Sequence, residues 1–271
     1  MIYAVAVLVG LFVGVLGTLV GAGGGFLLVP ILALAEPSWA TRTVTAFSLA
    51  VVAANASAGG LSYARQRRVD LRSFPIFAAA AIPGAIVGAW LSAFIPRAAF
   101  DLAFGVVLLG VAAVLFVRPA RRAGSGQGAA RRVLVDRLGN RYEWSFDLKL
   151  GIAGSAGVGA LSSVLGIGGG IVHVPFMVTV LDFPEHVATA TSHAVLAVTA
   201  LVATIVHLAH GDFAGEGWLT ILVAAGAIIG APLGARLSTH LPGKVITRIL
   251  ALALASVAVR LLILGWSNLY A

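Results

Sequence analysis

Cysteine is absent from the 271 residues, and only ten residues are acidic. Without thiols the chain can form no disulfide, thiolate metal centre, iron–sulfur cluster or cysteine nucleophile. Charge of either sign is scarce. Asp, Glu, Lys and Arg make up 10% of the chain and hydrophobic residues 60%, whereas about a quarter of an ordinary soluble domain is charged. That composition excludes a soluble globular protein. With a mean hydropathy of +1.03 and apolar runs near the ~20 residues needed to cross ~30 Å of hydrocarbon, the chain reads as an all-α polytopic membrane protein.

Two further absences narrow the function. All ten carboxylates (Glu36, Asp70, Asp101, Asp136, Glu143, Asp147, Asp182, Glu185, Asp212 and Glu216) fall in loops or at the ends of apolar runs. Cation carriers and carboxylate proton relays usually place one at membrane depth, so the cargo is expected to be anionic or neutral. Sodium held by backbone carbonyls stays open. The first residues, MIYAVAVLVG, carry no positive start and lead to no cleavage site, so the first apolar run is expected to stay in the mature protein. The net charge of +8 would suit nucleic acid, but the basic residues cluster between apolar runs, where they report orientation in a membrane.

What is present is a duplicated pattern. Eight apolar segments run over about 2–35, 43–63, 74–95, 98–117, 148–181, 187–208, 217–239 and 245–266. The first and fifth are too long for one crossing, and each holds a glycine cluster where a helix should break, since each glycine costs about 1 kcal/mol relative to alanine. LGTLVGAGGGFLLVP from Leu16 matches LSSVLGIGGGIVHVP from Leu161 at seven of fifteen positions. IPGAIVGAWLSAFIP from Ile82 matches IIGAPLGARLSTHLP from Ile228 at eight of fifteen. The offsets, 145 and 146, are nearly equal, which indicates internal duplication. Three parts follow: a first membrane repeat at 1–117, an Arg-rich linker at 118–147 containing GSGQG, and a second repeat at 148–271. Within the linker, RRVLVDRLGNRYEWSF suggests a hairpin turning at Gly139-Asn140.

Charge also bears on topology. If each half crosses four times, one side of the membrane collects twelve Lys and Arg against five. If each glycine-broken segment is instead a re-entrant hairpin followed by three transmembrane helices, the repeats are inverted and the count is fifteen against two, with Arg260 expected at the end of the last span. The positive-inside rule favours the second plan. It places the Arg-rich linker in the cytoplasm and both termini outside, and it is the inverted-repeat arrangement of many secondary transporters.

Non-helical backbone at membrane depth must be buried in protein or line a cavity. A helix restarting at Phe26 or Ile171 aims its free amides and positive dipole end at the glycines, a geometry that suits an anion. Close packing of small residues between helices would use the same glycines. A dinucleotide fingerprint is excluded, because its third glycine would fall at Phe26 or Ile171. Near the turns lie His173, which replaces Leu28 of the first repeat, and Thr191-Ser192-His193, which aligns with Phe47-Ser48-Leu49. Thr18, Asn55, Ser162 and Ser163 are further hydrogen-bonding groups, although such side chains also satisfy helix carbonyls. His207 and His210 have metal-pair spacing but no third ligand, so no metal is assigned, and no cofactor is called for.

The turns VGAGGGFLLVP and LGIGGGIVHVP, the TSHAVL segment and the duplicated IxGAxxGAxLS segment together resemble the sulfite exporter TauE/SafE family, also described as toluene sulfonate uptake permeases. The resemblance spans nearly the whole chain apart from the central loop. It implies a secondary transporter of a bacterial inner membrane that moves sulfite, thiosulfate or an organosulfonate, and no enzyme. The expected substrate site comprises Gly21, Gly23, Gly24 and Gly25 of the first turn, Gly166, Gly168, Gly169 and Gly170 of the second, and Ser48, Thr191, Ser192 and His193. Proton coupling is assigned to His173 or His193. A passive anion channel, and more remotely a membrane-embedded enzyme or assembly factor, remain as alternatives, and a homo-oligomer is compatible with the sequence.

Overall fold

The computed structural model describes residues 2–117, 130–213 and 215–270. Arg118, Arg121, Arg122 and the GSGQG stretch of the linker lie outside the described residues. Where the sequence shows the first long apolar run, α1 (Ile2–Leu19) and α2 (Gly25–Ala35) flank the first glycine cluster, followed by α3 (Thr41–Arg65), α4 (Phe74–Leu91) with a 3-10 turn (Ser92–Phe94), and α5 (Arg97–Val117). The second half repeats the order with α6 (Leu148–Val164), α7 (Gly170–Thr179), α8 (Glu185–His210), α9 (Gly217–His240) and α10 (Gly243–Tyr270). The last helix continues well past Arg260, which is exposed within it rather than at its end.

Among the described residues five helices are long and apolar enough to cross a membrane: Thr41–Arg65, Phe74–Phe94, Glu185–His210, Gly217–His240 and Gly243–Ile263. Tyr3–Leu19, Gly25–Ala35, Ala98–Val114, Leu148–Val164 and Gly170–Thr179 are shorter apolar helices. Outward-facing side chains such as Leu201, Ile205, Ile221, Ile229 and Ile263 are apolar and exposed, as lipid requires. The chain is a multi-pass membrane protein.

Glycines set the helix pairs. Gly10 and Gly14 of α1 lie against the backbone of Val223 and Ala227 in α9, and Gly230 of α9 lies against Leu11. The two helices therefore run in the same direction. The same kind of contact recurs between α4 and α6, with Gly84 on Ala156 and Gly159 on Ala81. Small residues let membrane helices approach to backbone contact, and a Cβ at any of these places would separate them. At the centre α3 and α8 run in opposite directions: Arg42 opens α3 beside Asp212 just beyond α8, 4.0 Å apart, while Gly60 late in α3 meets Ala194 early in α8. The end of α3 also meets the end of α1, where the Tyr63 hydroxyl donates to the Thr18 carbonyl at 2.6 Å. Phe100, Phe104 and Leu108 of α5 pack in one cluster with Leu254, Ala258 and Leu261 of α10.

The linker contributes an antiparallel hairpin, β1 (Ala130–Val135) and β2 (Arg141–Phe146), paired from Ala130 with Phe146 to Val135 with Arg141. It turns where the Gly139-Asn140 dipeptide predicts. Trp144 and Phe146 on its inner face pack with Phe183, and Phe146 also meets Phe77 of α4 edge-on. Asp147 then caps α6, its carboxylate accepting from the amides of Lys149 at 2.8 Å and Leu150 at 3.3 Å. Asp147→Ala should lower thermal stability by about 1 kcal/mol, measured by melting in detergent, because the two amides lose their acceptor.

Candidate functional site

The break after Leu19 follows from its residues. The amides of Ala22 and Gly23 turn back to the Gly17 carbonyl at 2.8 and 3.0 Å, and the Ile167 amide turns back to Ser162 at 3.1 Å. The turns end at Gly24 and Gly169 with φ of +86° and +84°, left-handed backbone that only glycine adopts without strain. The Gly24 carbonyl then accepts from Leu27 and Leu28, and the Gly169 carbonyl from Val172 and His173, which starts α2 and α7. By helix geometry the first amides of each have no intrahelical acceptor, and each helix directs its positive end at its own turn.

The two turns touch. A Cβ on Gly25 would lie 2.8 Å from the Ile167 Cα, and one on Gly170 would lie 2.6 Å from the Ala22 Cα. Each turn also rests on the antiparallel pair: Gly21 against Thr189 and Gly166 against Thr45, with Gly23 and Gly168 both against Val52 and Leu196. All eight glycines expected at the site therefore lie in one contiguous assembly of two turns and two central helices.

The expected side chains divide into four settings. Ser48 donates to the Gly166 carbonyl at 2.6 Å, which ties α3 to the second turn. Thr191 accepts from the Asp70 amide at 2.9 Å, so its hydroxyl faces the loop between α3 and α4. Ser192 and His173 line one cavity with Gly168, Gly169, Ser155 and Thr199. Its volume, about 10 Å³, is roughly the room of one water molecule. His173 Nε2 is 3.1 Å from the Ser155 hydroxyl, and its ring meets Phe77 edge-on. His193 belongs to a separate fully buried cluster: its Nε2 lies 3.4 Å from the Thr18 hydroxyl, which donates to Asn55 Oδ1 at 2.9 Å, and its ring faces Tyr63 edge-on.

Among the described residues, four buried polar groups flanking this assembly have no hydrogen-bond partner: Asn55 Nδ2, Ser162 Oγ, Ser192 Oγ and His193 Nδ1. Ser162 sits beside Gly169, 3.1 Å from where its Cβ would be. An unpaired buried polar group costs about 1–3 kcal/mol, so four together demand a reason. Asn55, Ser162 and Ser192 can donate to an oxyanion, and so can His193 in the tautomer that protonates Nδ1.

Sequence reasoning did not identify Ser155, Tyr63 or Thr199. Ser155 lies in an α6 stripe of glycine and alanine that reads as helix packing, and its meeting with His173 depends on how α6 and α7 pack. The halves are chemically unequal at these places, since an offset of 145 sets Gly10 against Ser155 and Leu28 against His173, and the offset of 144 that aligns Ser48 with Ser192 sets Leu49 against His193. His207 and His210 diverge, His207 Nδ1 pairing with Asp212 Oδ2 at 2.8 Å and His210 Nδ1 donating to the Val206 carbonyl at 2.7 Å.

The profile described as sulfite exporter TauE/SafE matches residues 6–261. The chain belongs to the TauE/SafE family. Its relatives include the probable membrane transporter protein YunE of Bacillus subtilis, 29% identical over 98% of this chain and 99% of its own. MJ0441 of Methanocaldococcus jannaschii, also named a probable membrane transporter protein, is 26% identical over 93% of this chain and 90% of its own. MamO of Magnetospirillum gryphiswaldense, named likewise, is 27% identical over 67% of this chain but only 33% of its own length. No solved structure matches. The protein is a membrane transporter of the TauE/SafE type.

Proposed function

We propose that the protein is a secondary transporter that carries a small sulfur-containing anion, such as sulfite, thiosulfate or an organosulfonate, by alternating access, with the anion held at the paired glycine turns. The observation that carries this reading is the set of unpaired buried groups on Asn55, Ser162, Ser192 and His193 around two touching turns. Two helix N-termini and neutral side-chain donors favour an anion there. The cavity at the second turn has room for about one water molecule, so substrate enters only when the helices move.

The helix directions support two inverted repeats, 1–117 and 148–271, joined by a cytoplasmic linker at 118–147. If α1 and α3 point one way and α8 the other, α2 must return toward the side from which α1 came. The pairs α1 with α2 and α6 with α7 are then re-entrant hairpins meeting tip to tip, and both termini lie on the periplasmic side of a bacterial inner membrane. His173 and His193 are the titratable groups at the turns, and a proton accompanies the anion on one of them.

Reconstitution into liposomes tests the function. Labelled sulfite and a small sulfonate should accumulate saturably over empty vesicles, and faster under an inward proton gradient. Conductive, non-saturating flux would make the protein a channel, and no flux of either would assign it another cargo. His193→Gln should abolish the gradient dependence while sulfonate binding persists, and unchanged coupling would remove His193 from the proton path.

A further inference from the structure

A second polar cavity, of about 130 Å³, lies at one mouth of the central helix pair, lined by Arg42, Ala89, Trp90, Phe94, His210 and Asp212. It shares no lining residue with the cavity at the second glycine turn. Arg42 opens α3 with its side chain 57% exposed, and its Nε stands 4.0 Å from Asp212 Oδ1, a long contact for an ion pair. The other carboxylate oxygen, Oδ2, lies 2.8 Å from His207 Nδ1. His207 is fully buried, and its Nε2 has no hydrogen-bond partner among the described residues. With Nδ1 donating to the carboxylate, Nε2 holds an open lone pair and is a proton acceptor.

The other mouth shows that this arrangement is particular to one side. The offset of 144 that aligns Ser48 with Ser192 also places Arg68 at the position of Asp212, and His186 at the position of Arg42. Arg68 is buried against Asp136 of the hairpin, so the guanidinium at the position of Asp212 is already paired with a protein carboxylate.

We propose that the Arg42 cavity is a capture site for the oxyanion head of the substrate, in which Arg42 leaves Asp212 for the anion and His207, protonated at Nε2, takes its place as the counter-charge of Asp212. This rests on the transporter reading above and adds to it where the substrate is first held. One proton and one monoanion enter together, so the cavity's net charge is the same before and after capture. The charged and titratable groups that bear on His207 are Asp212 and His210, with Arg42 acting on Asp212; the residues that α4 and its 3-10 turn contribute to the cavity, Ala89, Trp90, Ala93 and Phe94, are uncharged. Trp90 and Phe94, ring centroids 4.8 Å apart, offer an apolar wall to the carbon end of a sulfonate.

Equilibrium binding of labelled ethanesulfonate to the full-length protein in detergent tests this, because a sulfonate keeps its charge throughout the range used. The wild type should bind at least about tenfold more tightly at pH 5.5 than at pH 8. Arg42→Ala should lose binding by at least about tenfold at pH 5.5, and Arg42→Lys should recover part of it. Asp212→Asn, which frees Arg42 without a proton, should bind tightly at both pH values. His207→Gln should bind weakly at both. Wild-type binding by Arg42→Ala, a pH response surviving in His207→Gln, or no binding by the wild type would overturn the capture site. Arg42-dependent binding without uptake in liposomes would instead leave the site standing and overturn the reading that this anion is the cargo.

Discussion

Gly170→Ala should cut sulfite uptake at least about tenfold, while Gly157→Ala, one helix earlier, leaves it unchanged. Gly170 opens α7, and its φ is not in the left-handed region, so alanine fits its backbone. Intrinsic helix propensity favours alanine at both positions by about 1 kcal/mol. The two sites differ in what the new methyl meets. At Gly157 nothing lies within 4 Å; at Gly170 the Cβ runs into the Gly21 carbonyl oxygen and stands 2.6 Å from the Ala22 Cα. Those atoms are backbone of the opposite turn and cannot rotate away. Overpacking of this kind costs about 1–3 kcal/mol, and relief requires the turns to separate. If the anion is held where the turns meet, separation displaces the amides and donors that hold it. Melting in detergent checks that Gly170→Ala still folds, and uptake by Gly170→Ala at the wild-type rate would remove the turn contact from the transport site.

The helix boundaries were largely readable because apolar runs end at charge, proline or glycine, and the breaks at Gly21 to Gly25 and Gly166 to Gly170 because few other residues tolerate that backbone. The hairpin was readable from alternation around Gly139-Asn140. Helix partners were not. A membrane helix that is apolar all round carries no stripe to say which face meets protein, so the contact of Gly10 with Val223 is invisible before folding. At the site, the glycines announced themselves, but the polar groups depended on register. Thr191 and Ser192 are adjacent in the chain, yet one takes the Asp70 amide and the other lines the cavity. The burial of Arg68 was not readable either, since charge counts register the side of the membrane and not the partner.

That buried arginine leads to the other large expected effect. Arg68→Ala should undock the hairpin from the helices at neutral pH. Arg68 directs Nε and Nη2 at Asp136 Oδ2, each at 3.4 Å, with side chains 3% and 1% exposed. The carboxylate also accepts from the amides of Leu138 and Asn140, both at 2.9 Å, and from the Asn140 side chain at 3.0 Å. A second link runs the opposite way, from Arg132 of β1 to Asp70 in the loop after α3, at 3.5 Å. Removing one partner of a buried pair costs about 3–5 kcal/mol, because the remaining charge is left without its counter-ion. Burial pushes the Asp136 carboxyl up, but the Asn140 side chain and amide, the Leu138 amide and Arg68 outweigh it and hold the group below the usual carboxylate range. A depressed folded value means that this stabilisation is present above the unfolded value of about 3.9 and is lost as pH falls through the folded one. Wild-type docking should therefore hold at pH 5 and weaken only under stronger acid. In Arg68→Ala the carboxyl loses its counter-charge and its pKa rises, so mild acid should partly restore docking by neutralising it. Trp144, 2% exposed on the inner face, reports the outcome. Its emission should shift to the red in the variant at pH 7 and move back toward wild type near pH 4.5; identical spectra at pH 7 would show that the ion pair does not hold the hairpin in place.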